Sequence, residues 1–208
     1  MAQSLLRIGY GFDSHEFRKN VPLKIGGVAI PHTKGLAGHS DGDVLLHALT
    51  DALLGAIAAG DIGTYFPPSD PKWKGADSAL FVREAMKHVR QHGYTVGNVD
   101  STLILQEPKI GPHVAKVQRR VAELLNLSPT AVGIKAKTPE GLGTPNTAIA
   151  HVTVLLLRES NKGKKQRNVA AEVPQPVVDM VVEQTLSASH VHHETKKTRP
   201  HKVKAKRA

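Results

Sequence analysis

Three side chains in the first quarter of the sequence have the types and the spacing of metal ligands. Asp13 and His15 are two residues apart, and His47 follows farther along the chain. Because side chains alternate between the two faces of an extended strand, Asp13 and His15 are expected to point the same way. Three ligands of the Asp and His type leave the fourth position of a tetrahedral ion open, as in catalytic zinc sites. The pattern therefore favours an enzyme with a zinc-type ion held by Asp13, His15 and His47.

Two carboxylates flank His47 at helical spacing. Asp43 lies one turn before it and Asp51 one turn after it, so either could hold the second ring nitrogen and fix the tautomer. The alternative is a solvated acidic helix face with an incidental histidine, since a lone helical histidine is more often a surface residue than a ligand. That alternative does not explain why polar residues interrupt an otherwise apolar helix.

Two further clusters contain groups that suit phosphate and sugar. In residues 60–70, glycines allow backbone N–H groups to approach a ligand, and aspartates could accept hydrogen bonds from hydroxyls. In residues 135–140, two lysines and the Thr138 hydroxyl suit phosphate oxygens, and Glu140 suits a hard cation such as Mg²⁺. Each cluster also has a simpler interpretation, an ordinary surface loop for the first and a solvated strand end for the second.

The elements that must position these groups follow from periodicity and turn residues. Apolar spacing predicts helices, and runs of β-branched and aliphatic residues predict strands. The predicted strands are 7–12, 95–106, 132–136 and 149–157, with a hairpin over 22–30; the predicted helices are 40–59, 77–91 and 112–126, and 61–76 is a loop. Ser40 or Asp41 is the expected cap of the first helix. The order predicts a single two-layer α/β domain, in which helices cover one face of a mixed sheet.

The net charge of +10 belongs mainly to the end of the chain. Residues 1–158 carry 17 Lys and Arg against 13 Asp and Glu, whereas residues 159–208 carry 11 against 5. We therefore expect a domain over 1–158 and a basic, largely disordered tail over 159–208, with a possible short helix at 177–186. The absence of cysteine excludes disulfides and thiolate metal sites. With no signal peptide and no membrane-spanning run, a cytoplasmic protein is expected.

With these clusters in one chain and in this order, the sequence resembles the family of 2-C-methyl-D-erythritol 2,4-cyclodiphosphate synthases. The resemblance covers residues 7–157. The motifs that carry it are Arg7-Ile8-Gly9-Tyr10-Gly11-Phe12-Asp13-Ser14-His15, Gly38-His39-Ser40-Asp41-Gly42-Asp43 with His47 and Asp51, Leu53-Leu54-Gly55-Ala56, Gly60-Asp61-Ile62-Gly63 with Phe66-Pro67, and Lys74-Gly75-Ala76-Asp77-Ser78.

The resemblance implies a homotrimer of single α/β domains with active sites between neighbouring subunits. It implies that the 2-phosphate of 4-diphosphocytidyl-2-C-methyl-D-erythritol 2-phosphate attacks the β-phosphorus, so that CMP leaves and a cyclic diphosphate forms. Asp13, His15 and His47 match the ligands of a zinc-type ion, whose open position takes a phosphate oxygen. Glu140 matches a ligand of a second ion, Mg²⁺ or Mn²⁺. Two cations suit phosphoryl transfer, which needs charge neutralisation and positioning.

The resemblance also assigns roles to residues that contact the substrate. His39 and Thr138 match the catalytic residues that stabilise the transition state. Asp61 matches the residue that binds the erythritol hydroxyls, and Lys109 lies in the segment that receives the cytidine. The full expected substrate-binding set is Asp13, His15, His39, Ser40, Asp61, Ile62, Gly63, Phe66, Asp70, Lys109, Lys137, Thr138, Pro139 and Glu140.

Three segments depart from the family pattern. Lys137-Thr138-Pro139 stands where members have two or three threonines, so Lys137 is expected to add a phosphate contact. Pro68 replaces an aspartate, which weakens one substrate contact. Residues 144–148 lack the Gly-Arg-Gly-Glu stretch thought to line a central trimer cavity, so binding of a regulatory diphosphate there is not expected.

Two other functions were considered, one based on the basic tail and one based on the Asp and His ligands. The basic tail could bind nucleic acid, but it has no aromatic residues to stack on bases, so only weak, nonspecific attraction is expected. A metal-dependent phosphohydrolase could use the same Asp and His ligands, with water in place of a tethered phosphate as the attacking group. The reaction product distinguishes this chemistry from cyclisation.

Overall fold

The structure, a computed structural model, describes residues 4–141 and 144–159. All of them belong to one compact unit. Its strands are β1 (Leu6–Lys19), β2 (Leu23–Ile25), β3 (Val28–Ile30), β4 (Lys34–Leu36), β5 (Tyr94–Ile104), β6 (Val132–Lys137) and β7 (Thr147–Arg158), and its α-helices are α1 (Val44–Ala56), α2 (Ile62–Tyr65), α3 (Ala79–Gln91) and α4 (Val114–Leu125). The predicted helix at 177–186 and the tail lie outside the described residues.

The main sheet has five strands in the order β4-β1-β7-β5-β6. β5 and β6 run parallel, whereas the other neighbours are antiparallel, so the sheet is mixed as predicted. β2 and β3 form a separate hairpin with its turn at Gly26-Gly27. None of the described helices is long and apolar enough to cross a membrane.

Two glycines in β1 bring helix α1 unusually close to the sheet. A Cβ atom on Gly9 would lie 1.8 Å from the Ala52 carbonyl oxygen, and one on Gly11 would lie 1.9 Å from the Ala48 carbonyl oxygen. A helix can approach a strand this closely only where the strand has no side chain on that face. The close approach sets His47, the neighbour of Ala48 on α1, opposite the continuation of the same face of β1.

The opposite face of the sheet carries large exposed apolar side chains. Leu6, Ile8, Tyr10 and Phe12 alternate with the helix-facing residues of β1, and Leu157 lies opposite Leu6 on β7. Their exposed fractions run from 39% for Leu157 to 73% for Ile8. An apolar patch of this kind on a folded domain commonly marks a surface that another chain covers.

Several predicted element ends were wrong. Helix α1 begins at Val44 instead of residue 40, because the Asp43 carboxylate caps it by accepting the Leu46 N–H at 3.1 Å. It ends at Ala56, and Ala58 has a positive φ of 57°. β1 continues to Lys19 because β7 and β4 supply backbone partners beyond Phe12. β4 was not predicted, and the predicted loop at 61–76 contains α2 and a 3₁₀ turn (Pro71–Trp73).

Candidate metal centre and active site

Asp13, His15 and His47 meet in a nearly equilateral triangle of polar atoms. Asp13 Oδ2 lies 2.9 Å from His15 Nε2 and 3.0 Å from His47 Nδ1. The two ring nitrogens are 2.9 Å apart. The spacing in the sequence predicted that these three groups come together, and the structure brings them together as a possible metal-binding group.

The donor set of this triangle fits a divalent cation. Asp13 can only accept hydrogen bonds, and each neutral imidazole carries a single N–H. If only one of His15 Nε2 and His47 Nδ1 carries a proton, two of the three atoms still point lone pairs at each other across about 3 Å. If both nitrogens carry protons, the two N–H groups point at each other, so neither arrangement satisfies all three atoms. A cation satisfies all three lone pairs together. Tetrahedral zinc with bonds of about 2.0–2.1 Å separates its ligand atoms by about 3.3 Å, close to the observed edges.

The charge state of Asp13 suits the same purpose. Burial of this carboxyl opposes ionisation, but hydrogen bonds from His15 and His47 outweigh that effect and hold its pKa well below the usual range. Asp13 is therefore an anion at neutral pH. An ionised carboxylate with two imidazoles is a donor set that zinc accepts.

The second ring nitrogen of His47 contacts serines, and the prediction that Asp43 or Asp51 holds it was wrong. His47 Nε2 lies 2.8 Å from Ser40 Oγ and 2.9 Å from Ser78 Oγ. Asp43 is fully buried and accepts the backbone N–H groups of Gly26 and Gly27 in addition to its capping bond. Burial raises its pKa despite these bonds.

Asp51 supports the wall of the site from a distance. Its carboxylate accepts the Ile62 N–H at 2.7 Å, which ties α2 to α1. Burial raises the pKa of Asp51, and the bond from Ile62 only partly offsets this. Asp51 therefore positions Ile62, and its carboxylate bonds to that amide instead of to the His47 ring.

A cavity of about 240 Å³ opens beside the triangle. The three possible ligands line it, and so do five further residues of the expected substrate-binding set. These five are His39, Ser40, Ile62, Gly63 and Phe66. Trp73 and Phe81 also line it and were not predicted. The Phe66 ring lies 4.4 Å from that of Phe81 and 5.0 Å from that of Trp73, measured between centroids, so one wall is aromatic. Only the fold brings these aromatic residues together.

Asp61 and Asp70 act locally as caps. Asp61 Oδ1 accepts the backbone N–H of Thr64 at 2.9 Å and its hydroxyl at 2.8 Å, and these bonds lower the pKa of the exposed carboxyl. Asp70 caps the 3₁₀ turn by accepting the Lys72 N–H at 3.1 Å. Neither aspartate is among the residues that line the cavity. Short polar side chains commonly bond to nearby backbone in this way.

The remaining predicted residues lie around a second cavity of about 570 Å³. Lys109, Lys137, Thr138 and Glu140 line it. The Thr138 hydroxyl donates to the Glu140 carboxylate. Pro139 is buried and is not one of the lining residues. Two lysine ammonium groups and a threonine hydroxyl beside a cavity of this size suit a phosphorylated ligand.

The two cavities are separated across the sheet. Asp13 pairs with Ala150 of β7, Ala150 with Leu103 of β5, and Leu103 with Ala136 of β6. Three strand spacings of about 4.8 Å place Ala136, two residues before Thr138, about 14 Å from Asp13. Within one copy, His39 and Thr138 therefore line two different cavities.

Comparisons with known proteins give a consistent result. Residues 6–157 match the model of the YgbB family. A curated relative from Koribacter versatilis, named 2-C-methyl-D-erythritol 2,4-cyclodiphosphate synthase, is 68% identical over 152 residues, which are 73% of this chain and 98% of the relative.

Solved structures of proteins with that name are also similar. One has a TM-score of 0.69 at 45% identity and covers 72% of this chain and 99% of its own. Another, described as a CDP-bound form, has a TM-score of 0.69 at 44% identity with the same coverage.

Proposed function

This chain belongs to the YgbB family, and we propose that it converts 4-diphosphocytidyl-2-C-methyl-D-erythritol 2-phosphate to 2-C-methyl-D-erythritol 2,4-cyclodiphosphate with release of CMP. This makes it a phosphorus–oxygen lyase of isoprenoid precursor biosynthesis by the non-mevalonate route. The observation that carries the proposal is the triangle of Asp13, His15 and His47, open toward a cavity in a chain that matches this family over residues 6–157.

The reaction is an intramolecular phosphoryl transfer. An oxygen of the 2-phosphate forms a bond to the β-phosphorus, and the bond from that phosphorus to the oxygen bridging the α-phosphate breaks. The electron pair of the broken bond leaves on CMP. Because the reaction forms no covalent bond to the protein, the protein contributes by holding the 2-phosphate and the β-phosphate in line and by offsetting their negative charge.

We assign the metal site to Asp13, His15 and His47, with zinc as the ion. When bound, zinc would act as a Lewis acid for a phosphate oxygen at its open position. Glu140 is assigned to a second cation, Mg²⁺ or Mn²⁺. Glu140 belongs to no group of three or more His, Asp or Glu ligands in the described ranges, so phosphate oxygens would supply most of the remaining ligands.

His39 and Thr138 are assigned the catalytic roles. His39 is exposed at the rim of the first cavity, where its imidazole can donate to a phosphate oxygen. Thr138 offers a hydroxyl at the second cavity, beside Lys137. Donors aimed at developing negative charge stabilise the transition state of such a transfer.

The substrate is proposed to span two cavities, with its erythritol part at Ile62, Gly63 and Phe66 and its cytidine part toward Lys109. The second cavity is large enough for a nucleotide portion. A 44% identical structure is described as a CDP-bound form, which supports a nucleotide-linked ligand. Asp61 and Asp70 are proposed to reach the substrate from the rim, because their carboxylates keep free acceptor positions.

Assembly as a homotrimer is part of the proposal. Within one copy, about 14 Å separates Asp13 from Ala136, two residues before Thr138, and we therefore place the first cavity of one copy against the second cavity of its neighbour. The exposed apolar side chains of β1, together with Leu157, offer a surface for such an assembly. A domain over 1–158, a disordered tail and a cytoplasmic location remain predictions, of which the first agrees with the extent of the family match.

Phosphorus NMR of the products tests the proposed activity. With Zn²⁺ and Mg²⁺ present, we expect CMP and a cyclic diphosphate to appear together as the substrate disappears. A linear phosphate product would show that water attacks, as in a phosphohydrolase, and would contradict the proposal.

A further inference from the structure

The Gly75-Ala76-Asp77-Ser78 segment carries part of the family resemblance, yet no step of the proposed reaction uses it. Ser78 is completely buried at the start of α3. Its hydroxyl oxygen contacts both the ring of a possible metal ligand, His47, and the Asp41 carboxylate. We propose that Lys24, Asp41 and Ser78 form a positioning array that favours the His47 tautomer with its proton on Nε2. This inference rests on the metal site of the proposed function.

The direction of each hydrogen bond in the array follows from the groups at its far end. The Lys24 amine lies 3.0 Å from Asp41 Oδ2 and can only donate. This bond raises the pKa of Lys24 and keeps it charged. Asp41 Oδ1 lies 2.5 Å from Ser78 Oγ, and because an ionised carboxylate only accepts, the serine proton must point to Asp41.

Because its one proton points to Asp41, the Ser78 oxygen can only accept a hydrogen bond from the imidazole. His47 Nε2, 2.9 Å away, can therefore bond to Ser78 only by donating an N–H. This bond favours the proton of the neutral ring on Nε2, whereas the Asp13 carboxylate, 3.0 Å from Nδ1, favours it on Nδ1 when no cation is bound. With the proton on Nε2, the lone pair of His47 is left on Nδ1, the atom that lies 3.0 Å from Asp13 Oδ2 and 2.9 Å from His15 Nε2. The array favours the tautomer that can bind a cation.

Ser40 alone does not impose this direction. Its hydroxyl lies 2.8 Å from His47 Nε2 and 3.2 Å from Ser78 Oγ, so it can either donate to or accept from the ring. Of the two serines, only Ser78 is bonded to the Asp41 carboxylate strongly enough to leave its oxygen as an acceptor for His47.

The same segment also holds the loop that carries His39. The Gly75 N–H donates to the His39 carbonyl at 2.7 Å, and the Asp41 N–H donates to the Ala76 carbonyl at 3.0 Å. The Ser78 N–H lies 3.3 Å from Asp41 Oδ1, so removing only the serine hydroxyl leaves that carboxylate with other donors. A Ser78→Ala variant should therefore fold with the loop in place.

Zinc affinity and histidine tautomers of the full chain test the proposal. Competition with a chelator should show a 10- to 100-fold lower zinc affinity for Ser78→Ala, the loss typical of a partner removed from a ligating histidine. Lys24→Gln, a change at a partly exposed site, should lower it by a smaller factor. In the ¹⁵N-labelled, metal-free protein at about pH 8, the fraction of His47 in the Nε2–H tautomer should be higher in the wild type than in Ser78→Ala.

Ser101→Ala is the matched control. Ser101 is also buried, and its hydroxyl donates to the Gly133 carbonyl at 2.8 Å, outside the site. Ser101→Ala should keep the zinc affinity. An equal loss in both variants, or wild-type affinity with an unchanged His47 tautomer ratio in Ser78→Ala, would overturn the array. Failure of the wild type to bind zinc would instead overturn the metal site itself.

Discussion

Replacing Gly11 with alanine should push helix α1 away from β1 and disable the metal site. The new Cβ would lie 1.9 Å from the Ala48 carbonyl oxygen, whereas real Cβ contacts are essentially never under 3.0 Å. The helix must therefore retreat by about 1.1 Å or more, because the blocking atom belongs to its backbone. Overpacking of this kind costs about 1–3 kcal/mol. The retreat also exceeds the roughly 0.2 Å tolerance of metal–ligand distances, so His47 should leave the triangle.

The assay combines urea unfolding, at equal protein concentration, with a competitive zinc titration. Gly55→Ala is the control, since the nearest atom to its new Cβ is the Tyr10 carbonyl oxygen at 3.9 Å. This helical change should stabilise the protein by up to about 1 kcal/mol and leave zinc affinity unchanged. Wild-type stability and zinc affinity in Gly11→Ala would refute the link between the glycines and the site.

Three further predictions concern a ligand, a supporting carboxyl and the tail. His47→Ala should abolish stoichiometric zinc binding by metal analysis and lower activity at least about 100-fold, while His92→Ala, at an exposed position, should change neither. Asp51→Asn keeps an acceptor for the Ile62 N–H but cannot ionise. Because burial raises the pKa of Asp51 in the folded state, the free energy of unfolding of the wild type should increase as the pH falls through that pKa toward 3.8. The urea midpoints of the variant should not show this increase. Deleting 159–208 should leave turnover nearly unchanged, and a large loss would mean that the tail belongs to the fold.

The sequence predicted that Asp13 and His15 share a face because the evidence for this is local, whereas His47 was added through its position on a predicted helix and through the family resemblance. The alternation from Gly9 to His15 places the glycines and both ligands of β1 on one face, and the glycines indicate a close backbone approach. The mixed sheet likewise followed from the order of strands and helices. Pairing with β7 then extends β1 through the polar residues after Phe12, which propensity alone could not predict.

Partners chosen by tertiary placement could not be predicted. Asp43 and Asp51 have helical spacing from His47, but Asp43 precedes α1 as its cap and Asp51 bonds to Ile62. Ser78 lies 31 positions from His47, so no periodic pattern connects them. The Asp61 carboxylate, by contrast, accepts the backbone N–H of Thr64 three residues away, a local contact of the kind that short polar side chains commonly make.

The central claim is that the first cavity of one copy works with the second cavity of another, and complementation between two inactive variants tests it most directly. His39→Ala and Thr138→Ala damage opposite cavities. If sites form between copies, co-expression of both variants in equal amounts should restore about one quarter of wild-type activity, because random assembly pairs an intact His39 with an intact Thr138 at that frequency. Activity no higher than the mean of the two variants alone, in mixed assemblies confirmed by mass spectrometry, would contradict the shared site.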